Sequence, residues 1–520
     1  MGVHRIIQTI DGENKIIATN RIKVLSAYDD TVEVDFVNTA DTTLTAETAP
    51  YGEWFYDKDG VLTQGNRVII EDEENSGIIL GSGDILIRWI DFDGRIIQQN
   101  YCNYGDSLTF SNTQGIEADV VAPEMPEISQ YKPFLTFTGW NYGYDDFEEK
   151  IDAYRVKITR PLDIGAEYTT DITDDEGNVL AQPTYVELDV NPISGLSVMF
   201  LVSIPFGQVT INWGDGSEVQ TFEPRREGFV NAECKHTYSE SGNYLVTFTF
   251  NKGGNNDIGF GGYHGGDSDW DTYMILNNSP THPNYGKQVH DMNVYLGSNL
   301  TVFDITPQGD GITYVPIRTL VLSSDIFGKG DMWFNVSSSL IEHITFPKNI
   351  TQGGYITIPT SATIARTVSL PTTIKSYNGF NYWTILDRVC ASYNPSFNTG
   401  GDHFFTNCYN LRYQYISDKL SGAAKLFNNN RQIDSVTLGQ NVTSIAAGSF
   451  SNMSGLRELH IKKSNGIVTL GIDLNFDPWE QIFLGVPRTL KVYVPASLVE
   501  QYKADARWQY LVDNIFSDTE

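Results

Sequence analysis

Residues 436–461 read VTLGQNVTSIAAGSFSNMSGLRELHI, and this stretch opens and closes on an apolar dyad, Val436/Leu438 and Leu459/Ile461. Two apolar residues flanking a polar one form a short strand that hides a single face. Similar dyads recur upstream at Val294/Leu296, Leu320/Leu322, Ile344/Phe346 and Val368/Leu370, with steps of 26, 24 and 24 residues between second members. The gap of 68 residues from Leu370 to Leu438 fits three steps, with weaker members expected near Val389/Ala391 and Tyr413/Tyr415. One such unit cannot bury its own apolar face, so the period predicts a solenoid of stacked repeats sharing one core.

Within that frame, the order strand, then "x-V-T-x-I", then "x-F-x-x-C-x-x-L" resembles the BspA-like subclass of leucine-rich repeat. ITFPKNIT (344–351), VSLPTTIKSY (368–377) and FFTNCYNL (404–411) are fragments of the same unit. The ending LKVYVPASLVEQYKADARWQYLVDNIF resembles the close of many such proteins. It predicts a strand and then an amphipathic helix, with Leu498, Tyr502, Trp508, Leu511 and Ile515 on the buried side, capping the last repeat. The resemblance implies an extended surface for binding macromolecules or glycans. Tyr and Asn in NGFNYW and NNNRQ suit polar, stacking recognition, and Asn at repeat turns is equally structural.

Upstream of the repeats, VTINWGDGS (209–217) is followed by KHTYSESGNYLVTFTF. Gly214 and Gly216 bracket a tight turn, and Asp215 between them can accept hydrogen bonds from nearby N–H groups. His236 and Tyr238 alternate with Thr237 and point one way, toward that turn. The set Trp213, Gly214, Asp215, Gly216, His236, Tyr238, Gly242, Tyr244 and Val246 resembles the PKD-type β-sandwich. A hydrolytic Asp–His pair would also need a nucleophile and an oxyanion site, and the pattern supplies neither, so the structural reading is preferred. A calcium ion beside Asp215 is the alternative.

Nearer the start, ILIRWIDFDGRIIQQNYCNYGDSL and FTGW at 137–140 resemble the internalin B-repeat module, a spacer or interaction domain without catalysis. There Asp93–Gly94 supplies a hairpin turn and Trp140 plugs the core. Residues 1–84 alternate apolar and polar positions around DG, DD and GN turns, as hairpin strands do. The expected organisation is therefore mainly β and multidomain, with β-sandwich and β-grasp-like modules leading into a leucine-rich-repeat solenoid with a C-terminal capping helix. Its parts are an N-terminal β domain (1–84), an internalin B-repeat-like module (85–162), a PKD-like sandwich (163–252), an insertion (253–288) and the solenoid (289–520). The insertion is rich in Gly, Asn and Asp. Its aromatics Phe260, Tyr263, Trp270, Tyr273 and Tyr285 are candidate sugar-stacking faces, and Asp267, Asp269 and Asp271 are candidate calcium ligands. The bland alternative is an ordered insertion packed between domains.

The chain has 520 residues, with 35 basic against 65 acidic ones and a net charge of −30. That balance disfavours nucleic acid and anionic membranes and leaves proteins, neutral glycans and divalent cations. Four cysteines without a Cys-x-x-Cys pair give zinc little support; a Cys390–Cys408 disulfide is an alternative to buried thiols. No cofactor is expected. The start MGVHRIIQTIDGENK has no apolar export signal, and no window is long and apolar enough to insert in a membrane. Together with module choice, which resembles that of crAss-like bacteriophage appendages, this points to a non-enzymatic virion protein made in the host cytoplasm. The N-terminal domain would dock to other virion proteins, the repeats would meet a bacterial surface protein or glycan, and a homo-oligomer is compatible. The alternatives are a bacterial cell-surface adhesin lacking its signal peptide and, from another class, a glycan-degrading enzyme.

Overall fold

The computed structural model describes strand backbones within residues 7–64, most of residues 78–260, short strands between 292 and 423, and residues 428–518. The chain is mainly β and divides into two compact units, residues 1–76 and 77–520. Among the described residues, the first contains antiparallel pairs of Ile7–Ile10 with Glu13–Ile16, Thr19–Val24 with Val32–Val37, and Trp54–Tyr56 with Leu62–Gln64.

The second unit begins with strand Ile78–Gly81, which pairs in parallel with Ile96–Cys102. Residues 78–81, assigned from sequence to the N-terminal domain, thus belong to the next module's sheet. That sheet also holds Ile85–Ile90, Leu162–Thr169 and Thr136–Trp140. Leu162–Thr169, placed by the sequence reading at the boundary with the sandwich, is a central strand here. Gly94 has φ 80° in the DFDG turn, and its N–H bonds the Asp91 carbonyl at 3.0 Å. Trp140 is buried edge-on against Trp89, with ring centroids 4.8 Å apart.

Beyond this module, two sheets of nine and six strands face each other across one hydrophobic core. Antiparallel pairs form one end: Thr184–Val190 with Gly242–Asn251 in one sheet, Ser197–Ser203 with Asn231–Thr237 in the other. Neither sheet stops where the repeats begin. Thr184–Val190 also pairs with Met292–Leu296, which starts a parallel run through Ile317–Leu322, His343–Thr345, Thr367–Ser369 and Arg388–Cys390. In the facing sheet, Ser197–Ser203 continues through Gly259–Phe260 into parallel Val302–Asp304, Trp333–Asn335 and Tyr355–Thr357. The boundaries expected at 252 and 288 therefore fall inside shared sheets, because stacking strands on a ready-made edge spares the first repeat an exposed one.

Later rungs, Tyr413–Ile416, Ser435–Leu438, Glu458–Ile461 and Lys491–Pro495, form a second parallel sheet. Dyads Val294/Leu296, Leu320/Leu322, Ile344/Phe346, Val436/Leu438 and Leu459/Ile461 are all buried. The expected member Val389 pairs with Val368. At the next rung, however, Gln414 and Ile416 sit opposite Val436 and Leu438, so the register is one residue off the expected Tyr413/Tyr415. A slip of one exchanges the two faces of a strand, and two tyrosines flanking a glutamine disguise it.

The ending also differs from expectation. Leu498, Tyr502, Trp508, Leu511 and Ile515 are buried, yet the α-helix covers only Val499–Ala504. Asp505 turns extended at φ −76°, ψ 131°, a 3-10 turn covers Gln509–Asn514, and Ile515–Asp518 is a strand added in parallel as the last rung. The cap is a short helix plus a strand.

Candidate functional site

Two groups of side chains and one interface carry the chemistry of the second unit. At the WGDG turn, Gly214 and Gly216 have φ 78° and 80°, a region open to glycine. Asp215 Oδ1 accepts from the Ser217 N–H at 3.0 Å, and His236 Nε2 lies 2.7 Å from Asp215 Oδ2. The imidazole stacks on buried Trp213 with centroids 4.8 Å apart and planes 11° from parallel. Tyr238 meets its edge and donates its hydroxyl to the Trp213 carbonyl at 3.1 Å. Burial pushes the Asp215 carboxyl up, but hydrogen bonds from Ser217 and His236 outweigh it and hold the group down at about 2. Burial raises the Tyr238 phenol.

The order of these bonds matters. An acyl-transfer triad runs from hydroxyl to imidazole to carboxylate. Here the Ser217 hydroxyl bonds the carboxylate directly, and the imidazole is clamped between Trp213 and Asp215. Such an arrangement locks a turn onto a strand.

At the far end, His460 reaches two carboxylates, Glu458 Oε2 at 3.3 Å and Asp518 Oδ1 at 3.5 Å, while its ring stacks on Tyr493 at 4.7 Å. Lys462 bonds Asp518 at 2.8 Å. Burial lowers the His460 imidazole, but Asp518 and Glu458 win and raise it. Burial likewise raises Asp518, and its bonds to His460 and Lys462 hold it at about 2. Sequence reading missed this cluster because Asp518 lies on a strand that had been read as the tail of a helix.

The interface is where the first module covers the repeat sheet. Tyr295 and Val321, the residues between the core dyads, are buried on the opposite face of the sheet, together with Tyr185, in the core of the first module. Phe134 stacks on Tyr185 at 4.5 Å and meets Tyr295 edge-on at 5.0 Å. Glu187 accepts from Lys132 and, at 2.9 Å, from the Tyr295 hydroxyl, and burial raises that phenol's pKa. At the other end of the repeats, Tyr104 of the same module lies within cation–π range of Lys157 at 5.0 Å and Lys462 at 5.6 Å. Part of the face expected to bind ligands is thus occupied by the chain itself.

Phe260, a candidate stacking residue, is fully buried against Phe200, Phe248 and Phe303, so it is core. It offers no face to a sugar because it lies on the short strand that bridges the antiparallel and parallel parts of the six-stranded sheet. Tyr263, Trp270, Tyr273, Tyr285, Asp267, Asp269 and Asp271 lie outside the described residues, as does Cys408. Among the described residues, no three His, Cys, Asp or Glu side chains gather as metal ligands, and Asp215 is already engaged by Ser217 and His236. Cys102 and Cys234 are buried free thiols, and burial pushes Cys102 up to about 12. Of the two Asn-bearing stretches, NGFNYW lies outside the described residues, and in NNNRQ one asparagine serves a repeat turn. Asn429 and Asn452 adopt φ 65° and 61° in successive repeats and are joined side chain to side chain at 2.9 Å.

Against known proteins, the profile of the BspA type leucine rich repeat region matches residues 363–470 in six copies. No curated protein matches the chain. The repeats suggest a surface or binding protein.

Proposed function

We propose that the protein is a non-catalytic binding and display component of a bacteriophage virion, a head or tail appendage that meets a bacterial surface protein or glycan. The observation that carries the reading is the match to six BspA-type repeats, a surface-protein class, across two sheets of parallel rungs. The likeness of residues 85–162 and 163–252 to internalin B-repeat and PKD modules, both spacers or binding units, supports it. The net charge of −30 favours neutral or protein partners over nucleic acid. Residues 1–84 would attach to other virion proteins. The same repeat match favours a second reading, a bacterial cell-surface adhesin.

Immunogold labelling during infection separates the two. Label on purified particles supports the appendage, and label on the envelope of uninfected cells supports the adhesin. Absence from both would sink either reading. An assay for new reducing ends on capsule or mucin glycans should stay at background.

A further inference from the structure

A cavity of about 570 Å³ opens on the first module, where strands Ile78–Gly81 and Ile96–Cys102 meet residues 119–124. Two neutral amides line it, Gln98 at 6% and Asn100 at 4% exposure. Their orientations are fixed by donors. Asn100 Oδ1 accepts from Trp89 Nε1 at 3.1 Å and from Gln98 Nε2 at 2.8 Å. Gln98 Nε2 also donates to the Val121 carbonyl at 3.3 Å. An amide whose oxygen is taken twice turns its NH₂ elsewhere, and one whose NH₂ is used twice turns its oxygen elsewhere. Asn100 Nδ2 and Gln98 Oε1 therefore have no partner among the described residues.

A donor beside an acceptor, two residues apart on one strand face and lining the cavity, forms a paired hydrogen-bonding site whose water a ligand with both functions can replace. Asp106 and Asp119 add acceptors to the lining, and Leu80 and Val121 add apolar surface. Vicinal hydroxyls each donate and accept, and a sugar ring also presents a C–H face. Three lining carboxylates, Asp106, Asp119 and Glu124, repel an anion, and no three-ligand cluster stands ready for a metal among the described residues. The volume lies in the range of small-ligand sites.

We infer that this cavity binds one or two rings of a neutral glycan, through Gln98 and Asn100. The inference rests on the surface-binding reading and moves glycan recognition from the repeats to the 85–162 module.

The test uses the full chain on an array of neutral mono- to tetrasaccharides, with any hit quantified by calorimetry. Val121→Trp fills the cavity from a rim position 37% exposed, and Leu474→Trp, 52% exposed and outside the cavity lining, is the control. The expected result is a glycan bound equally by the intact chain and the control, with affinity at least tenfold lower in Val121→Trp at unchanged Tm. Equal binding by Val121→Trp, or no glycan bound at all, overturns the inference. Adhesion of the intact chain to host cells, measured in parallel, separates the failures. Adhesion equal in Val121→Trp leaves the surface-binding reading standing while the cavity falls, and no adhesion with no glycan brings down both.

Discussion

The two ends of the repeat stack face the same problem, an unpaired strand edge, and meet it differently. At the N-terminal end both sheets continue into antiparallel strands around Trp213, Phe200 and Phe248, so the first rung is never an edge. At the C-terminal end, a short helix and two aromatics do the work. Both aromatics hold the backbone of the neighbouring repeat: the Tyr502 hydroxyl oxygen accepts the Val468 N–H at 2.9 Å, and Trp508 Nε1 donates to the Val468 carbonyl at 2.8 Å. One end spreads its stability over long strand pairings, and the other concentrates it in a few buried side chains.

The largest test of that difference is Trp508→Ala. Removing this fully buried ring should cost about 3–5 kcal/mol. Hydrogen exchange should then quicken in Glu458–Ile461 and Lys491–Pro495 while Thr184–Val190 stays protected. Trp213→Ala should cost a similar amount but loosen both long sheets together. If the Trp508 variant unprotects the whole unit, the two ends are not distinct.

Glycine substitutions sharpen the comparison. A Cβ on Gly214 would sit 2.5 Å from the Leu245 carbonyl oxygen at φ 78°. Gly214→Ala should cost about 2–3 kcal/mol in denaturant unfolding. On Gly485, at φ 79°, the nearest atoms are Asn452 Oδ1 at 2.9 Å and Asn452 Cα at 3.2 Å, a looser approach than at Gly214, so Gly485→Ala should cost about 1–2 kcal/mol.

The pH response should also differ between the ends. Asp215, depressed to about 2 when folded, stabilises above the ordinary aspartate value and loses this as pH falls from about 4 toward 2, at most about 2 kcal/mol. Asp215→Asn should remove that acid slope from a Tm series. Asp518 adds an acid slope at the other end, but His460 has the opposite sign. Its raised pKa stabilises fully below the unfolded histidine value, and the contribution fades as pH rises through the folded one. His460→Gln should remove that near-neutral part and also weaken the Asp518 acid slope, which the imidazole helps to set. The smallest effect belongs to Asn452, where φ is 61°: replacement by Gly should change stability by a few tenths of a kcal/mol and by Ala about 1 kcal/mol.

Much of this was legible where the signal is local. The dyads mark the rungs because each strand must hide two residues, and the spacing around Asp215 and His236 brings them to one turn. The cap shows where local signals fail. Its buried residues 498, 502, 508, 511 and 515 contain a step of six that no helical face accommodates, and the chain breaks at Asp505. Phe260 was misread because its Gly- and Asn-rich neighbours suggested a loop, whereas it packs on strands far away in sequence. Tyr295 and Val321 face a module that begins some two hundred residues earlier, and the polarity of a single rung does not reveal that partner. The Gln98–Asn100 pair reads as ordinary strand polarity until its amide orientations are known.

Because the sheets run without a seam from antiparallel block to parallel repeats, the block cannot be exchanged like a cassette. A cut near residue 288 would sever two ladders at once, at Thr184–Val190 with Met292–Leu296 and at Gly259–Phe260 with Val302–Asp304. Lineages that diversify the repeats must therefore keep the joint and vary beyond it, and engineers grafting new repeats should splice several rungs downstream.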